Sequence, residues 1–235
     1  MIQLYPAASR FSHDQGWLRG SFGLSFGGYY DQDNTEFGPL RVFNDDVIAA
    51  GRGFGAHPHN DMEIVSIVLY GKLKHEDNLG HSVVTGFGEV QRMSAGSGVV
   101  HTEGNPSETE ELNLLQLWFM PEKRGLEPSY EASRFDTSQL EGRLLPVVSR
   151  EPVHGAARIH QDLTIYLSKL EALETLSFTQ PKGRRMYLFV IEGKLEAAGE
   201  ERVQLATRDA ARITDTERLE LTAQTDSFFM LIDLP

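Results

Sequence analysis

The chain contains no cysteine. This excludes disulfides, thiolate nucleophiles and every sulfur-ligated zinc or iron–sulfur centre, so a bound metal must be held by nitrogen and oxygen. A chain without cysteine also fits a reducing compartment. Long apolar runs are missing: no stretch approaches the roughly 20 residues that a membrane-spanning helix needs. Residues 1–17 have neither a basic start nor an apolar core, so no secretory leader is expected there and the cytoplasm is the expected location. Positive charge is in deficit. Lys and Arg number 22 against 34 Asp and Glu, a net charge of −12. Such a surface repels phosphate backbones, and neither direct nucleic-acid binding nor membrane association is expected. Coiled-coil heptads are also lacking, which leaves a monomer as the expectation. No serine sits in a nucleophile elbow. The glycine-rich run 51–55 leads into a histidine pair rather than a helix, which excludes a phosphate loop.

What is present reads as β-structure. Residues 62–70 are rich in β-branched side chains, Asp77-Asn78-Leu79-Gly80 is a turn signal, and 112–119 and 227–234 read as buried strands. Many of the 22 glycines lie between such runs, the pattern of a sandwich or barrel. Residues 130–140 admit a helical turn or two, and Pro121 and Pro128 bracket a polar stretch that reads as a crossover between domains. Residues 63–73 (EIVSIVLYGKL) are similar to residues 185–195 (RMYLFVIEGKL), with the two glycines, Gly71 and Gly193, 122 positions apart. A duplicated β unit is the simple reading. The copies differ in chemistry, because no histidine follows His160. The N-terminal half therefore carries the site, and the C-terminal half is a scaffold, lid or partner surface.

The most informative residues are two dyads, His57-Pro58-His59 and His101-Thr102-Glu103. Side chains two apart on a strand point to the same face. On neighbouring strands, the two dyads would aim three imidazoles and a carboxylate at one point. This donor set suits Fe, Mn, Co, Ni, Cu or Zn without choosing among them, and four ligands on an octahedral ion leave positions open. A closed structural zinc site is the plainer alternative.

The wider pattern sharpens this. Gly51, His57-Pro58-His59, Glu63 and Gly71 resemble the first cupin motif, and His101 with Asn105, preceded by Gly88 and Gly96, resembles the end of the second. Ser94 stands where that motif has proline, and the Gly96–His101 spacing is longer. Both departures are shared by one branch, the pirins. The resemblance extends to Trp17-Leu18, Ser25-Phe26-Gly27, Tyr29-Tyr30-Asp31, Leu40-Arg41-Val42, Asn44-Asp45-Asp46, Met93-Ser94-Ala95-Gly96 and Asn105-Pro106-Ser107. In the C-terminal half it is carried by His160-Gln161-Asp162 and Asp233-Leu234-Pro235.

The pirin resemblance implies an all-β bicupin: two β-barrel (jelly-roll) domains with few short helices, a metal-binding cupin over 1–132 and a degenerate, metal-free cupin over 133–235. It implies His57, His59, His101 and Glu103 as ligands of one divalent transition metal, iron(II) first, with Ni, Cu, Mn, Co or Zn as alternatives. The implied activity is that of a dioxygenase resembling quercetin 2,3-dioxygenase, opening a flavonol ring with O₂, with Glu103 as the catalytic base. A second reading, a metal-dependent regulator acting by protein–protein contact, is implied by the same resemblance. Glu63 then stands equally as a group behind the ligands or as a polar strand residue, and Asn105 reads as a strand terminator before it reads as a group that orients a ligand. Asn113, Gln116 and Trp118 alternate on one strand and serve either the cavity or strand packing. Phe22, Phe26, Tyr29 and Tyr30 read as core filling before they read as a cap on a pocket. His75 and His81 flank a turn and are expected to be solvent-exposed. His13, His154 and His160 have no ligand spacing.

Overall fold

The structure, a computed structural model, describes residues 1–235. It is built from β-strands, with helical geometry confined to two single 3₁₀ turns, Ala7–Ser9 and Thr137–Leu140. The chain divides into two compact units. One comprises Phe11–Phe135 with Arg150–Gln161; the other comprises Met1–Arg10, Asp136–Ser149 and Asp162–Pro235.

The unit that contains both dyads is a single nine-stranded sheet. Its order is Phe11–Asp14, Leu18–Phe22, Leu40–Ile48, Leu112–Phe119, Gly53–Tyr70, Glu89–Gly104, Lys72–Asp77 and Ser82–Gly86, with Ser129–Arg134 added along Glu89–Gly104. The run 130–140 is divided between a strand and one helical turn. Tyr130 to Arg134 pair with Met93 to Glu89, and only the 3₁₀ turn after them is helical. An available sheet edge outweighs a weak local preference. Two strands are unusually long, Gly53–Tyr70 and Glu89–Gly104, and their register is broken between Phe54 and His57 and between His59 and Asp61. Bulges of this kind bend a strand and re-aim its side chains. At the second break Asp61 has φ 63° and Gly96 has φ 48°. A Cβ on Gly96 would lie 2.0 Å from the Leu126 carbonyl oxygen, so the crossing chain can approach only a glycine here.

The other unit has a sheet that contains, in order, Ile2–Tyr5, Ala210–Ile213, Arg185–Glu192, Ser227–Leu234, Thr164–Leu170 and Leu145–Ser149. Its second sheet runs Thr175–Thr179, Arg218–Ala223, Lys194–Ala198 and Arg202–Ala206. Its main core cluster is apolar, built from residues such as Leu188, Val190, Leu195, Leu221, Phe229 and Leu231.

The internal repeat is visible as structure. Gly71 and Gly193 each join two strands at positive φ, 78° and 92°. A Cβ at either would meet a backbone carbonyl oxygen, that of Glu111 at 2.5 Å or of Asp226 at 2.3 Å. The strands that follow those carbonyls, Leu112–Phe119 and Ser227–Leu234, pair with the repeat strands in matching register: Ser66 opposes Gln116, and Leu188 opposes Leu231. Both the left-handed φ and the close carbonyl demand glycine. Gly193→Ala should therefore cost about 2 kcal/mol or more, since the left-handed conformation alone costs roughly 1–2 kcal/mol. Denaturant unfolding of the variant measures this, and a loss below about 0.5 kcal/mol would contradict the assignment.

Candidate metal centre and its cavity

Register brings the dyads together. His57 lies directly opposite His101 on the paired long strands, with His59 opposite Val99 and Phe54 opposite Glu103. His57 and His59 share one face, as do His101 and Glu103, so three imidazoles converge. The His57 and His59 ring centroids are 4.9 Å apart, His57 and His101 4.4 Å, and His59 and His101 4.9 Å. Their nitrogens form a triple within 4.8 Å of one another. Glu103 belongs to a second such triple, with His75 and His101. The four residues singled out in the sequence are thus spread over two overlapping clusters that share His101.

The hydrogen bonds around the rings fix where the lone pairs point. His57 Nδ1 donates to the Gly55 carbonyl at 2.7 Å, which leaves Nε2 as the free lone pair. His75 Nε2 sits 2.9 Å from Asp77 Oδ2. An ionised carboxylate only accepts, so this nitrogen carries the proton and His75 Nδ1 accepts. His101 Nδ1, 3.3 Å away, then donates to it. The Nε2 lone pair of His101 therefore faces the Nε2 lone pair of His57 at 3.0 Å. Two lone pairs at that distance repel unless a cation lies between or beside them. Two imidazole nitrogens bound at right angles to one ion, each about 2.1 Å from it, would be roughly 3 Å apart. The donor set fits a divalent transition metal.

His75 is a correction to the sequence reading. It is 1% exposed, stacked on Tyr130 with ring centroids 4.2 Å apart, and tied to both Asp77 and His101. The strand Lys72–Asp77 pairs with the far side of Glu89–Gly104, placing His75 opposite Glu103 and Asp77 opposite His101. The signal was present: His75-Glu76-Asp77 is itself a same-face dyad. The adjoining turn masked it. His81, half-exposed, bonds the same Asp77 carboxylate through Nδ1 at 2.8 Å. Burial alone would raise the Asp77 carboxyl, but hydrogen bonds from His75, His81 and Leu79 pull it down to about 2.

Glu103 is held from the opposite side. Gln116 Nε2 donates to its carboxylate at 2.7 Å and the Ser66 hydroxyl lies at 3.4 Å. Trp118 Nε1 donates to Gln116 Oε1 at 3.2 Å, which sets the amide so that its NH₂ faces Glu103. Trp118 also presents itself edge-on to His59, centroids 4.7 Å apart. Burial raises the Glu103 carboxyl above the usual range against the pull of His75 and Gln116. Of the alternating trio on this strand, Gln116 and Trp118 serve the cavity, while Asn113 ties Asp45 Oδ1 and the Asp46 carbonyl, both at 2.9 Å.

Glu63 stays out of the cluster. Its fully buried carboxylate accepts from the Ser94 hydroxyl at 2.7 Å and from the backbone N–H groups of His160 and Gln161 at 3.0 and 2.7 Å. The serine that replaces the motif's proline thus supplies a donor to Glu63. Asn105 ends its strand by bonding Ile48 O, Glu110 O and Ser107 N.

His57, Glu103, Gln116 and Trp118 open onto a cavity of about 770 Å³ whose other walls include Phe11, Phe22, Phe26, Tyr29 and Phe54. The aromatic tract therefore lines the cavity, apart from Tyr30, which is 76% exposed. Phe22 does both jobs, being buried as well as lining it.

Comparison with known proteins agrees with this architecture. Residues 5–119 match the family model described as Pirin, and residues 146–234 match the one described as the quercetinase C-terminal cupin domain. A curated relative from Escherichia coli K12, named quercetin 2,3-dioxygenase, is 42% identical and aligns over 100% of this chain and 99% of its own. The crystal structure of YhhW from Escherichia coli superposes with a TM-score of 0.95 at 41% identity, covering 100% of this chain and 98% of that one. A second structure, of bacterial pirin YhhW in complex with nickel(II), gives 0.93 at 40% identity, covering 100% and 99%. No helix of this chain is long and apolar enough to cross a membrane.

Burial, then the neighbouring rings, lowers His101 to about 3, and burial with His57 lowers His59 to about 4. Below the ordinary value of 6.5 the unfolded chain takes up protons that these folded rings refuse, so each ring withdraws stability as pH falls from 6.5 towards 4. Asp46, raised to about 7 by burial and by Asp45 and Glu103, acts with the opposite sign. In metal-free protein the ring ¹⁵N shifts of His59 and His101 should remain those of neutral imidazole down to about pH 5. A midpoint near 6.5 for either ring would contradict the burial argument.

Proposed function

The chain belongs to the pirin family, and from that premise we propose that it is a metal-dependent oxidoreductase that cleaves a flavonol such as quercetin with O₂. The observation that carries the proposal is the convergence of the His57 and His101 lone pairs, with His59 beside them, at the wall of an aromatic cavity. A proton could satisfy one facing pair of nitrogens. Three imidazoles and an adjacent carboxylate are the donor set of a metal site that keeps positions open.

In this reading His57, His59 and His101 hold one divalent ion, and Glu103 completes the set. When bound, the ion supplies Lewis acidity to a coordinated hydroxyl and a contact for O₂. The chain's own residues do the rest. Glu103, whose carboxyl burial raises above its ordinary range, takes the proton of the flavonol hydroxyl, while Gln116 and Ser66 hold its carboxylate in place. Trp118, Phe22, Phe26 and Phe54 form flat apolar walls that exclude bulk water and suit a planar polycyclic substrate. His75 and Asp77 keep His101 in the tautomer that presents Nε2.

Quercetin consumption and O₂ uptake by protein reconstituted in parallel with Fe(II), Ni(II), Cu(II), Mn(II), Co(II) and Zn(II) test the proposal. Metal-specific turnover with equal loss of flavonol and O₂ is expected. Its absence with every bound metal would overturn the activity. Two variants test the residue roles. His101→Ala should abolish stoichiometric metal binding, whereas Glu103→Gln should retain metal and lower kcat by about 100-fold. Full metal occupancy in the first, or undiminished turnover in the second, removes that residue from its role. His75→Leu deprives the His101 N–H of its acceptor and should weaken metal affinity by about 10–100-fold, read by chelator competition.

A further inference from the structure

One row of the cavity wall has hydrogen-bonding capacity that the protein leaves unused. His13, Gly20 and Asp46 stand in register across three adjacent strands, and Phe11, Phe22 and Asn44 form the parallel row beside them. Gly20 is the gap that lets its neighbours close in: a Cβ there would lie 2.4 Å from Asp46 Oδ1 and 2.6 Å from His13 Cε1. His13, Asn44 and Asp46 all line the cavity. Asp46 Oδ1, Asn44 Oδ1 and His13 Nδ1 are buried without a hydrogen-bond partner in the protein. Buried polar atoms are nearly always paired, and leaving one unpaired costs stability, so three together in one wall call for an explanation. The neighbouring surface is aromatic: the Phe22 ring lies 4.7 Å from that of His13 and 5.7 Å from that of Phe11.

We propose that His13, Asn44 and Asp46 form the recognition end of the cavity, binding an aromatic ring that carries adjacent hydroxyl groups. The ring rests on Phe11 and Phe22, and its hydroxyls donate to the acceptors that the fold leaves unpaired. The proposal rests on the flavonol reading above and adds the part of the substrate that is selected, a catechol-type ring. The protonation behaviour of Asp46 agrees, since a carboxyl raised to about 7 can accept or donate near neutral pH. No hydrogen bond within the protein opposes that rise. A site built to bond a hydroxyl discriminates strongly against the analogue that lacks it, because its own polar groups are then stranded.

Three flavonols that differ only in the pendant ring test this: quercetin with two adjacent hydroxyls, kaempferol with one and galangin with none. Their kcat/KM values, and their dissociation constants by quenching of Trp17 and Trp118 in the cavity wall, are measured with the metal-loaded wild type and with Asp46→Leu, Asn44→Leu and Gly20→Ala. The wild type should prefer quercetin to galangin by about tenfold or more, and Asp46→Leu should reduce that preference to within about twofold. Asp46→Leu should also melt at the same temperature as the wild type or higher, because it removes a stranded polar group. A purely structural Asp46 would instead lower it. Equal handling of quercetin and galangin by the wild type overturns the recognition proposal while leaving the dioxygenase reading intact. Absence of turnover overturns that reading, and the quenching series still decides recognition: retained preference for the catechol ring, lost in Asp46→Leu, supports it, and equal binding of all three refutes it.

Discussion

The site depends on the register between Gly53–Tyr70 and Glu89–Gly104. His57 opposite His101 is a single pairing, yet it sets the position of every other group. A slip by one residue would turn one dyad to the opposite face and leave the imidazoles on two sides of the sheet. The register is secured away from the histidines. Asp61 and Gly96 take left-handed conformations at the break, Leu126 crosses against Gly96, and the Glu63 carboxylate ties Ser94 of the partner strand to residues 160 and 161. Glu63 contributes to the site by fixing how two strands meet, although it does not face the rings.

The duplicated halves show what the same strand plan becomes with and without a polar interior. The Ser66–Gln116 pair, which carries Glu103, corresponds in register to Leu188–Leu231, which lies in an apolar core. The offset between the repeats places Ala197 at the counterpart of His75, and Ala197 too is fully buried. The second half closes its interior with leucine and alanine. The first buries leucine, valine and phenylalanine as well, but keeps a polar, aromatic-walled space beside the clusters around Leu73 and Met93. Packing stability and an accessible reactive centre are alternatives at equivalent positions, and the two halves have taken one each.

What the sequence made legible follows from period-two geometry. A same-face dyad is a local fact, so His57, His59, His101 and Glu103 could be picked out with no knowledge of the fold, as could the strand–glycine–strand repeat. Pairing between distant strands is not local. Nothing near His75 indicates that Lys72–Asp77 lies against the outer side of the strand bearing His101, and without that the histidine reads as part of an exposed turn. Likewise, the row His13–Gly20–Asp46 exists only once three strands are in register. Residues 130–134 took strand geometry because an edge was available at 89–93. General burial tendencies place the aromatic tract in a core, and they do not separate packing a core from lining a cavity.

The strand Ile2–Tyr5 has its partner in Ala210–Ile213, with Ile2 opposite Ile213. This has a consequence for the order of assembly on the ribosome. Every strand of the histidine-bearing sheet lies between Phe11 and Arg134 and is translated as one uninterrupted stretch. The first strand of the chain, by contrast, emerges before any of these and must wait, unpaired, until more than 200 further residues have been made. Closing so long a loop is slow, although its entropic cost grows only logarithmically with length. The nascent chain therefore completes the sheet with the histidine rings first, and the leucine-filled unit folds last, drawing Ile2–Tyr5 and Ser227–Leu234 into one sheet.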